Sequence, residues 1–477
     1  MASRIRACAL GAAGVWLLAG CSSPFDAPRD HDRPLARLQA EGVDRVTASA
    51  FRVSEDADAP PAPTPGPDAG ADDYVRYALF HSPRVEGAYQ RWVAASERPA
   101  QAAALPDPRL NFGFFLDEVE TRVGPQQARI GVQQTIPWPG KLSDRADAAD
   151  RAAAAAWHRF ESARLEVTER VVTTLHELAY LDAATRITGE NLELLRSFEE
   201  VVRARYRVGA GSHPELIRVQ VELGQLEDRV AQLHAMRPAY VAELNAALNR
   251  GANTPVPELA PLPARVANVD ADRLGELARR SNPALLALDE QAEEHRHLTD
   301  AARKDGLPDL TVGLDYTVTG EARQLPSPRA ATTPSYLLRH QPADSGEKYD
   351  AGGKYESIAR RLAITHDRTD EANRLDAGVH RAWFEHTDAD RRLRLYERTL
   401  IPKAQESLRA SLAGFRTGDT SFLDLLDTER SLLEFALAAE RARADRGEAL
   451  ARLTTLVGEP IPTRDPDTDT PTTEARP

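Results

Sequence analysis

The apolar residues of the chain recur with two periods, one typical of helices and one typical of strands. The longer period runs through stretches rich in Ala, Glu and Arg, where apolar positions such as Val171 and Leu175 share one helical face. No proline interrupts the chain between Pro139 and Pro214. The pattern predicts a single helix over about 142–207, which spans roughly 100 Å at about 1.5 Å per residue.

A second long helical stretch, from about Tyr355 to Phe415, has a similar composition. Pro402 lies inside it, and an internal proline lacks the N–H that a helix needs and clashes with the preceding turn. We therefore expect a kink or a break at this point. Helices of this length favour coiled-coil packing or a structure that crosses the periplasm.

The shorter period predicts strands over about 109–118, 126–136 and 309–319. In each of them apolar side chains alternate with small or polar ones, as at Leu310 and Val312. Strands of about ten residues with one apolar and one polar side suit an outer-membrane barrel with a wet interior. A soluble, half-buried sheet has the same period, so the alternation alone does not separate the two structures.

The two halves of the chain repeat each other. Four short segments recur in the same order and at a nearly constant offset: 81–83 with 281–283, 105–107 with 307–309, 206–209 with 415–418, and 248–251 with 455–458. We predict two repeats, 69–258 and 259–459, each with a helix, a strand pair, a very long helix, a tight turn and a helix. The predicted fold class is mainly α with a small β part.

The N-terminus resembles a bacterial lipoprotein signal over residues 1–20. Arg4 and Arg6 precede an apolar run to Ala19 that is too short to span a bilayer, and a small residue precedes Cys21. The resemblance implies cleavage before Cys21, which would then carry lipid such as palmitate. An ordinary secretory signal with a chance cysteine is the alternative.

The segments at the two ends differ from the helical halves. No Asp follows Cys21 directly, which in such lipoproteins favours the outer membrane over the inner one. Residues 21–68 are rich in Pro, Asp and Ala, which predicts a lipidated N-terminus followed by an exposed tether. Residues 460–477 alternate Pro, Thr and Asp and are expected to form a disordered tail.

Composition narrows the possible functions. The net charge is −13, whereas nucleic-acid-binding proteins usually carry a basic face, so we expect no nucleic-acid partner. Two cysteines exclude a disulfide framework and a Cys-based zinc site, and two methionines exclude a Met-rich copper relay. Because common catalytic motifs do not stand out, we expect neither an enzyme nor a cofactor or metal site.

Two sequence runs, QTIPWPGKL (134–142) and FRTGDTSFLDLLDTERSLL (415–433), together with the duplication, resemble the TolC-like outer-membrane efflux proteins. The resemblance covers about residues 70–459. It implies a homotrimer in which four strands per chain form one shared twelve-stranded barrel in the outer membrane of a Gram-negative bacterium. It also implies a trimeric α-helical barrel that crosses the periplasm and meets a periplasmic adaptor and an inner-membrane pump. A pump of the RND type, with metal cations or drugs as cargo, is the expected partner.

The fourth strand of that pattern is in doubt. The corresponding segment, 335–345, does not alternate and carries Arg339, His340 and Pro342. Proline cannot donate to a strand ladder, and a charge at the lipid-facing midplane of a barrel costs about 2–4 kcal/mol. The strand is therefore irregular, lies elsewhere, or is lost together with the barrel.

The turns that end the long helices have helix-stop and helix-start signals. A glycine ends each helix, and a Ser with an acidic residue three positions later resembles a capping box before the return helix. In the family these turns form the periplasmic tip that docks the adaptor, although they could also merely reverse the chain. The predicted docking residues are Gly209, Ser212, Glu215, Gly418, Thr420, Ser421, Phe422 and Asp424. We expect Phe422→Glu to abolish efflux without affecting assembly.

Two other functions compete with an efflux channel. The irregular segment 335–345 motivates a non-conducting structural lipoprotein that keeps the helices but has lost the pore. An exit duct for type I secretion would use the same fold for a different cargo.

Overall fold

The computed structural model describes residues 64–66, 69–119, 124–209, 211–259, 262, 265–320, 333–340, 347–417 and 419–464 of the 477. The predicted signal segment, Cys21, most of the tether, Gly418 and most of the tail lie outside these residues. Their predicted roles stay predictions. The described start of the predicted disordered tail is ordered, because Thr463 and Arg464 pair with Ala267 and Val266 and Ile461 is buried.

The first half alternates short helices, two strands and two long helices. Its elements are α1 (Ala71–His81), α2 (Pro83–Ser96), α3 (Arg98–Ala103), β1 (Arg109–Val119), β2 (Gln126–Ile136), α4 (Lys141–Arg207) and α5 (His213–Ala247).

The second half has a similar order of elements. They are β3 (Val266–Ala267), α6 (Ala271–Ser281), α7 (Pro283–Asp305), β4 (Leu310–Thr319), β5 (Thr333–His340), α8 (Glu347–Leu395), a π-helical turn (Tyr396–Leu400), α9 (Ile401–Thr417), α10 (Phe422–Val457) and β6 (Thr463–Arg464).

Helix α4 is one uninterrupted helix of 67 residues, about 100 Å long at a rise of about 1.5 Å per residue. The long proline-free helix predicted from the sequence is therefore confirmed. Helix α4 packs along α5 of its own half and along α7 and α10 of the other half. The two halves thus share one helical bundle.

The helix does not break at Pro402, as was one of the two predicted outcomes, but widens into a π-helical turn just before it. Helix α8 ends at Leu395, and the Ile401 N–H donates to the Tyr396 carbonyl oxygen, five residues back. Pro402 has no N–H, and its ring would clash with the carbonyl group four residues before it in an ideal α-helix. The wider π turn accommodates the proline while the chain stays helical on both sides.

The four longer strands form one antiparallel sheet with the order β1-β2-β4-β5. Strand β2 of the first half pairs with β4 of the second, so the halves also join at the centre of the sheet. The fourth strand exists: β5 runs from Thr333 to His340 and pairs with β4 throughout. It includes residues 335–340 of the segment described above as irregular, with Arg339 and His340, and ends before Pro342. Its own proline, Pro334, lies near the start of an edge strand, where a missing donor is tolerated.

The helical core lies in separate apolar clusters along the bundle. One cluster lies at the end where α4 meets α5 and α9 meets α10 and includes Leu195, Phe198, Phe415 and Leu425. Another joins α6, α8 and the end of α10. None of the helices in the described ranges combines the length and the hydropathy that crossing a bilayer requires.

Candidate functional site

One face of the four-stranded sheet is a continuous exposed apolar surface. In the strand register Phe112 lies opposite Ile130, and Ile130 lies opposite Tyr316, so alternate positions of three neighbouring strands share this face. All of its large side chains are exposed, up to 99% for Leu116. The set is Leu110, Phe112, Phe114, Leu116, Ile130, Val132, Ile136, Leu310, Val312, Leu314 and Tyr316. An apolar surface of this extent marks contact with a membrane or a partner.

The other face of the sheet is polar and closely fitted across the two halves. The Arg129 guanidinium on β2 donates to the buried Asp315 carboxylate on β4 at 2.5 Å. Gly131 lies directly opposite Asp315, and a Cβ at this glycine would overlap that carboxylate. The ion pair therefore requires a glycine on the neighbouring strand, and it fixes the register between the halves.

The PWPGK segment forms the junction between sheet and helices. Lys141, the first residue of α4, is buried and donates to the Asp309 carboxylate at 2.8 Å and to the Leu307 carbonyl oxygen at 3.1 Å. Asp309 also accepts the Trp138 backbone N–H at 3.0 Å. One buried lysine thus joins the start of α4 in the first half to the strand-entry segment 307–309 of the second half.

The first turn of the helical tip joins α4 to α5. Gly209 has a φ of +75°, and its N–H donates to the Tyr206 carbonyl oxygen at 3.0 Å, as a helix-ending glycine should. The Ser212 hydroxyl accepts the Glu215 N–H at 3.4 Å, and the Glu215 carboxylate accepts the Ser212 N–H at 3.0 Å. The predicted capping box is therefore confirmed in this turn.

The second turn, between α9 and α10, closes differently. The Ser421 hydroxyl accepts the Asp424 N–H at 3.1 Å, but it also donates to the Asp424 carboxylate at 2.7 Å. Ser421 therefore caps α10 without the reciprocal backbone bond of a capping box, so that part of the prediction is wrong. The N–H groups of Asp419 and Thr420 both donate to the Gly414 carbonyl oxygen, at 2.8 and 3.2 Å.

Phe422, which was predicted to dock the adaptor, is buried rather than exposed on the surface. It is 1% exposed and its ring lies 5.8 Å from the ring of Phe415, within the apolar cluster of the tip. The expectation that Phe422→Glu spares the fold is therefore wrong, because a charge there would enter an apolar core. Its neighbour Leu423 is 40% exposed and points away from that cluster.

Sequence reasoning missed three groups at the tip. Arg205 on α4 donates to the Phe415 carbonyl oxygen at 3.1 Å and its guanidinium lies 4.5 Å from the centre of that ring, so it ties the two halves together. Gly414 has no room for a side chain, since a Cβ would overlap the Thr420 hydroxyl. The exposed apolar side chains form the third group: Tyr206, Val208, Ile217 and Leu423. Only Gly414, as a glycine inside a helix, carried a signal in the sequence.

Buried ionisable side chains lie between the helices. Arg446 on α10 donates to Asp390 on α8 at 2.6 Å, and both are buried. Burial, and to a lesser degree the Arg446 charge, lowers the pKa of His176 to about 4. Burial raises the pKa of Glu429 to about 7. In the described part of the chain, no cluster of three or more His, Cys, Asp or Glu side chains is arranged to hold a metal ion.

The long shared helix, the sheet with one apolar face and the paired tip turns recur in known proteins. The chain matches the sequence profile of outer membrane efflux proteins twice, over residues 75–250 and 274–459. The chain belongs to the outer membrane efflux protein family. Members of this family are channel proteins of efflux systems rather than enzymes.

Individual relatives of this efflux protein are distant in sequence. It is 22% identical to the cobalt-zinc-cadmium resistance protein CzcC of Cupriavidus metallidurans over 343 residues, which cover 70% of this chain and 77% of CzcC. Among solved structures, VceC of Vibrio cholerae superposes with a TM-score of 0.65 at 17% identity, covering 82% of this chain and 97% of VceC. The channel protein CusC gives a TM-score of 0.68 at 14% identity, covering 82% and 92%. At these identities the structural likeness shows the fold.

Proposed function

We propose that this efflux protein is the outer-membrane channel of a tripartite efflux system, passing metal cations or drugs from an inner-membrane pump to the exterior. The exposed apolar face of the sheet carries this proposal. Its strands have 8 to 11 residues, close to the roughly 9–11 residues that a tilted strand needs to cross a bilayer. The opposite face is polar and suits a water-filled interior.

The proposed channel is a homotrimer. Four strands are too few to close a barrel, since the smallest transmembrane barrels have about eight. Strands β1 and β5 are the open edges of the sheet, and unpaired edges seek another strand. Three copies joined edge to edge would give one barrel of twelve strands, with the helical bundles forming a tunnel beneath it.

The tip is the proposed docking surface for the periplasmic adaptor and, through it, an RND-type pump. The surface that we now propose consists of the exposed side chains Tyr206, Val208, Ile217 and Leu423 around the predicted residues Gly209, Ser212, Glu215, Thr420, Ser421 and Asp424. Phe422 supports this surface from below. Gly418 and the lipid anchor at Cys21 remain part of the proposal on the sequence alone.

The fold supports the two competing functions to different degrees. A non-conducting structural lipoprotein was motivated by the irregular fourth strand, and the pairing of β5 with β4 supports a full set of four strands instead. A type I secretion duct would use the same fold and remains the second candidate. The name of CzcC, a cobalt-zinc-cadmium resistance protein, favours metal cations for that relative and by analogy for this chain.

The experiment that tests the proposal compares Leu423→Glu with Phe422→Ala in a strain that depends on this chain for efflux. We expect Leu423→Glu to form trimers at the normal level but to lose transport, because its side chain is exposed at the tip. Phe422→Ala should lose transport only together with trimer yield. Normal transport by Leu423→Glu would contradict the docking role, and a stable monomer in mild detergent would contradict the channel itself.

A further inference from the structure

The polar face of the sheet carries more positive than negative charge. At the paired positions of the four strands, the charged residues are Arg109, Arg129, Asp315 and Arg339. Each falls on a register row of the polar face, because successive residues alternate between the two faces. Arg109 lies opposite Gln133, and Arg339 lies opposite Thr311. Three arginines therefore share this face with one aspartate.

Arg129 is neutralised within the sheet by its ion pair with Asp315, whereas Arg109 is exposed and unpaired. None of the ion pairs among the described residues includes Arg109. Its cross-strand neighbour on β2 is the neutral Gln133. The next row towards the helices holds Thr135 and Thr311, whose hydroxyl oxygens lie 3.2 Å apart. The unbalanced charge of the polar face thus lies on the outer strands β1 and β5.

Both outer strands carry their arginine at the end of the sheet where the helices attach. Arg109 is the first residue of β1, and Arg339 is the last but one of β5. At the same end β2 leads into α4, and β4 starts after α7. Strands β1 and β5 run in opposite directions, because each neighbouring pair in the sheet is antiparallel. Closure of the proposed trimer therefore sets β5 of one copy antiparallel to β1 of the next, with both arginines at the same rim.

The acidic residues near the two ends of the strands do not cancel this charge. Asp309, at the helix-side end, is paired with Lys141. Asp107 is exposed two residues before β1 and offsets at most one of the two arginines in each copy. Asp117 and Glu118 lie at the far end of β1, beyond the point where its pairing with β2 becomes irregular. The helix-side rim therefore keeps a net positive charge.

We propose that Arg109 of one copy and Arg339 of the next form a positive ring at this rim, which makes the barrel favour anions over cations. The inference rests on the proposed trimeric channel and narrows the class of its cargo. A ring of arginines in a water-filled passage attracts anions and raises the barrier for cations. The favoured cargo is an anionic compound, such as an acidic drug or a negatively charged metal complex, rather than a bare metal cation.

The test measures the ion selectivity of purified full-length trimers in planar lipid bilayers. The reversal potential in a potassium chloride gradient gives the ratio of potassium to chloride permeability. It is measured for the wild type, for Arg109→Glu, for Arg109→Lys and for Arg109→Glu combined with Arg339→Glu. Arg273→Glu is the matched control, because Arg273 is exposed on α6, which the 23 residues of α7 separate from the sheet. Since Arg109 is exposed, its replacement should leave trimer formation intact.

We expect Arg109→Glu to shift the permeability ratio towards potassium by about twofold or more at low salt, and the double variant to shift it further. Arg109→Lys and Arg273→Glu should keep the wild-type ratio. The shift should shrink at high salt, because the screening length falls from about 10 Å in 0.1 M salt to about 3 Å in 1 M salt. A merely structural effect of the substitution would not depend on salt in this way.

Two results would overturn the proposal, and they are distinguishable. Conducting trimers with the same permeability ratio in the wild type and the double variant would exclude the positive ring and leave the channel standing. Trimers that do not conduct at all would contradict the proposed channel and the ring with it.

Discussion

The two turns of the tip occupy matching places in the two halves of the chain, yet different forces hold them. The first turn is closed by backbone geometry and a local capping box, with Gly209 at positive φ and Ser212 paired to Glu215. The second turn has local bonds at Gly414 and Ser421 too, but it is also held by burial, with Phe415 and Phe422 packed in the apolar cluster.

The second turn is also tied to distant parts of the chain. Arg205 of the first half binds the carbonyl oxygen and covers the ring of Phe415, 210 residues later. A turn held by local bonds can change its exposed side chains at little cost, whereas a turn held by a shared core cannot. We infer that the first turn tolerates variation and that the second fixes how the two halves meet at the tip.

The largest expected effect is a difference in stability between the two turns when a glutamate is introduced into each. Phe422→Glu should destabilise the protein by at least the roughly 3–5 kcal/mol of a Phe-to-Ala change in a core, because the carboxylate enters an apolar cluster. Ile217→Glu in the first turn, where the side chain is 46% exposed, should stay within about 0.5 kcal/mol. Thermal unfolding and trimer yield measure both, and equal losses would contradict the comparison.

Acid should destabilise the middle of the bundle, where His176 is buried. The pKa of His176 is lowered from 6.5 to about 4 by burial and by Arg446, so the unfolded chain binds a proton that the folded chain rejects. Stability is fully present above about 6.5 and is lost as the pH falls towards 4, by an amount on the order of 2–3 kcal/mol. Denaturant unfolding of wild type and His176→Gln at several pH values checks this; the variant should lose much of the acid sensitivity.

Two glycine-to-alanine substitutions should change the stability of the protein in opposite directions. Gly414→Ala in the second turn should destabilise by about 1–3 kcal/mol, because its Cβ overlaps Thr420. Gly224→Ala in α5 meets no atom within 4 Å and should stabilise by up to about 1 kcal/mol, since alanine is the better helix former. The denaturant concentrations at which the two variants are half unfolded measure both changes. A stabilising Gly414→Ala would disprove the close packing of the second turn.

The smallest effect compares the two serine caps. Ser212→Ala and Ser421→Ala should each cost about 1 kcal/mol, the usual value of a helix N-cap. Ser212→Ala should speed hydrogen exchange mainly in the first turn of α5, because its bonds are local. Exchange that spreads from either variant into the opposite turn would show that the two caps are coupled.

Features set by local chemistry could be predicted from the sequence. The absence of proline predicted α4, Pro402 predicted an irregularity in the second long helix, and the pair Ser212 and Glu215 predicted the capping box. Period-two alternation also marked strands close to where β1, β2 and β4 lie. Each of these depends on residues that are neighbours along the chain.

Features set by the crossing of distant helices could not be predicted. Phe422 and Leu423 are adjacent apolar residues, and only the packing of α10 against α4 and α9 decides which of them is buried. The fourth strand was doubtful because its alternation is weak, while its pairing partner β4 supplies the register. The shifted pKa values of His176 and Glu429 depend on burial by helices far away in the sequence.

We propose that copies of this chain close a water-filled pore across the outer membrane. Ionic conductance of the purified full chain in a planar lipid bilayer tests it most directly, with Leu116→Arg on the apolar sheet face as a variant that should insert poorly. We expect discrete conductance steps from the trimer and few or none from the variant. Correctly assembled trimers that insert into the bilayer without conducting would contradict the proposed channel and favour a structural lipoprotein.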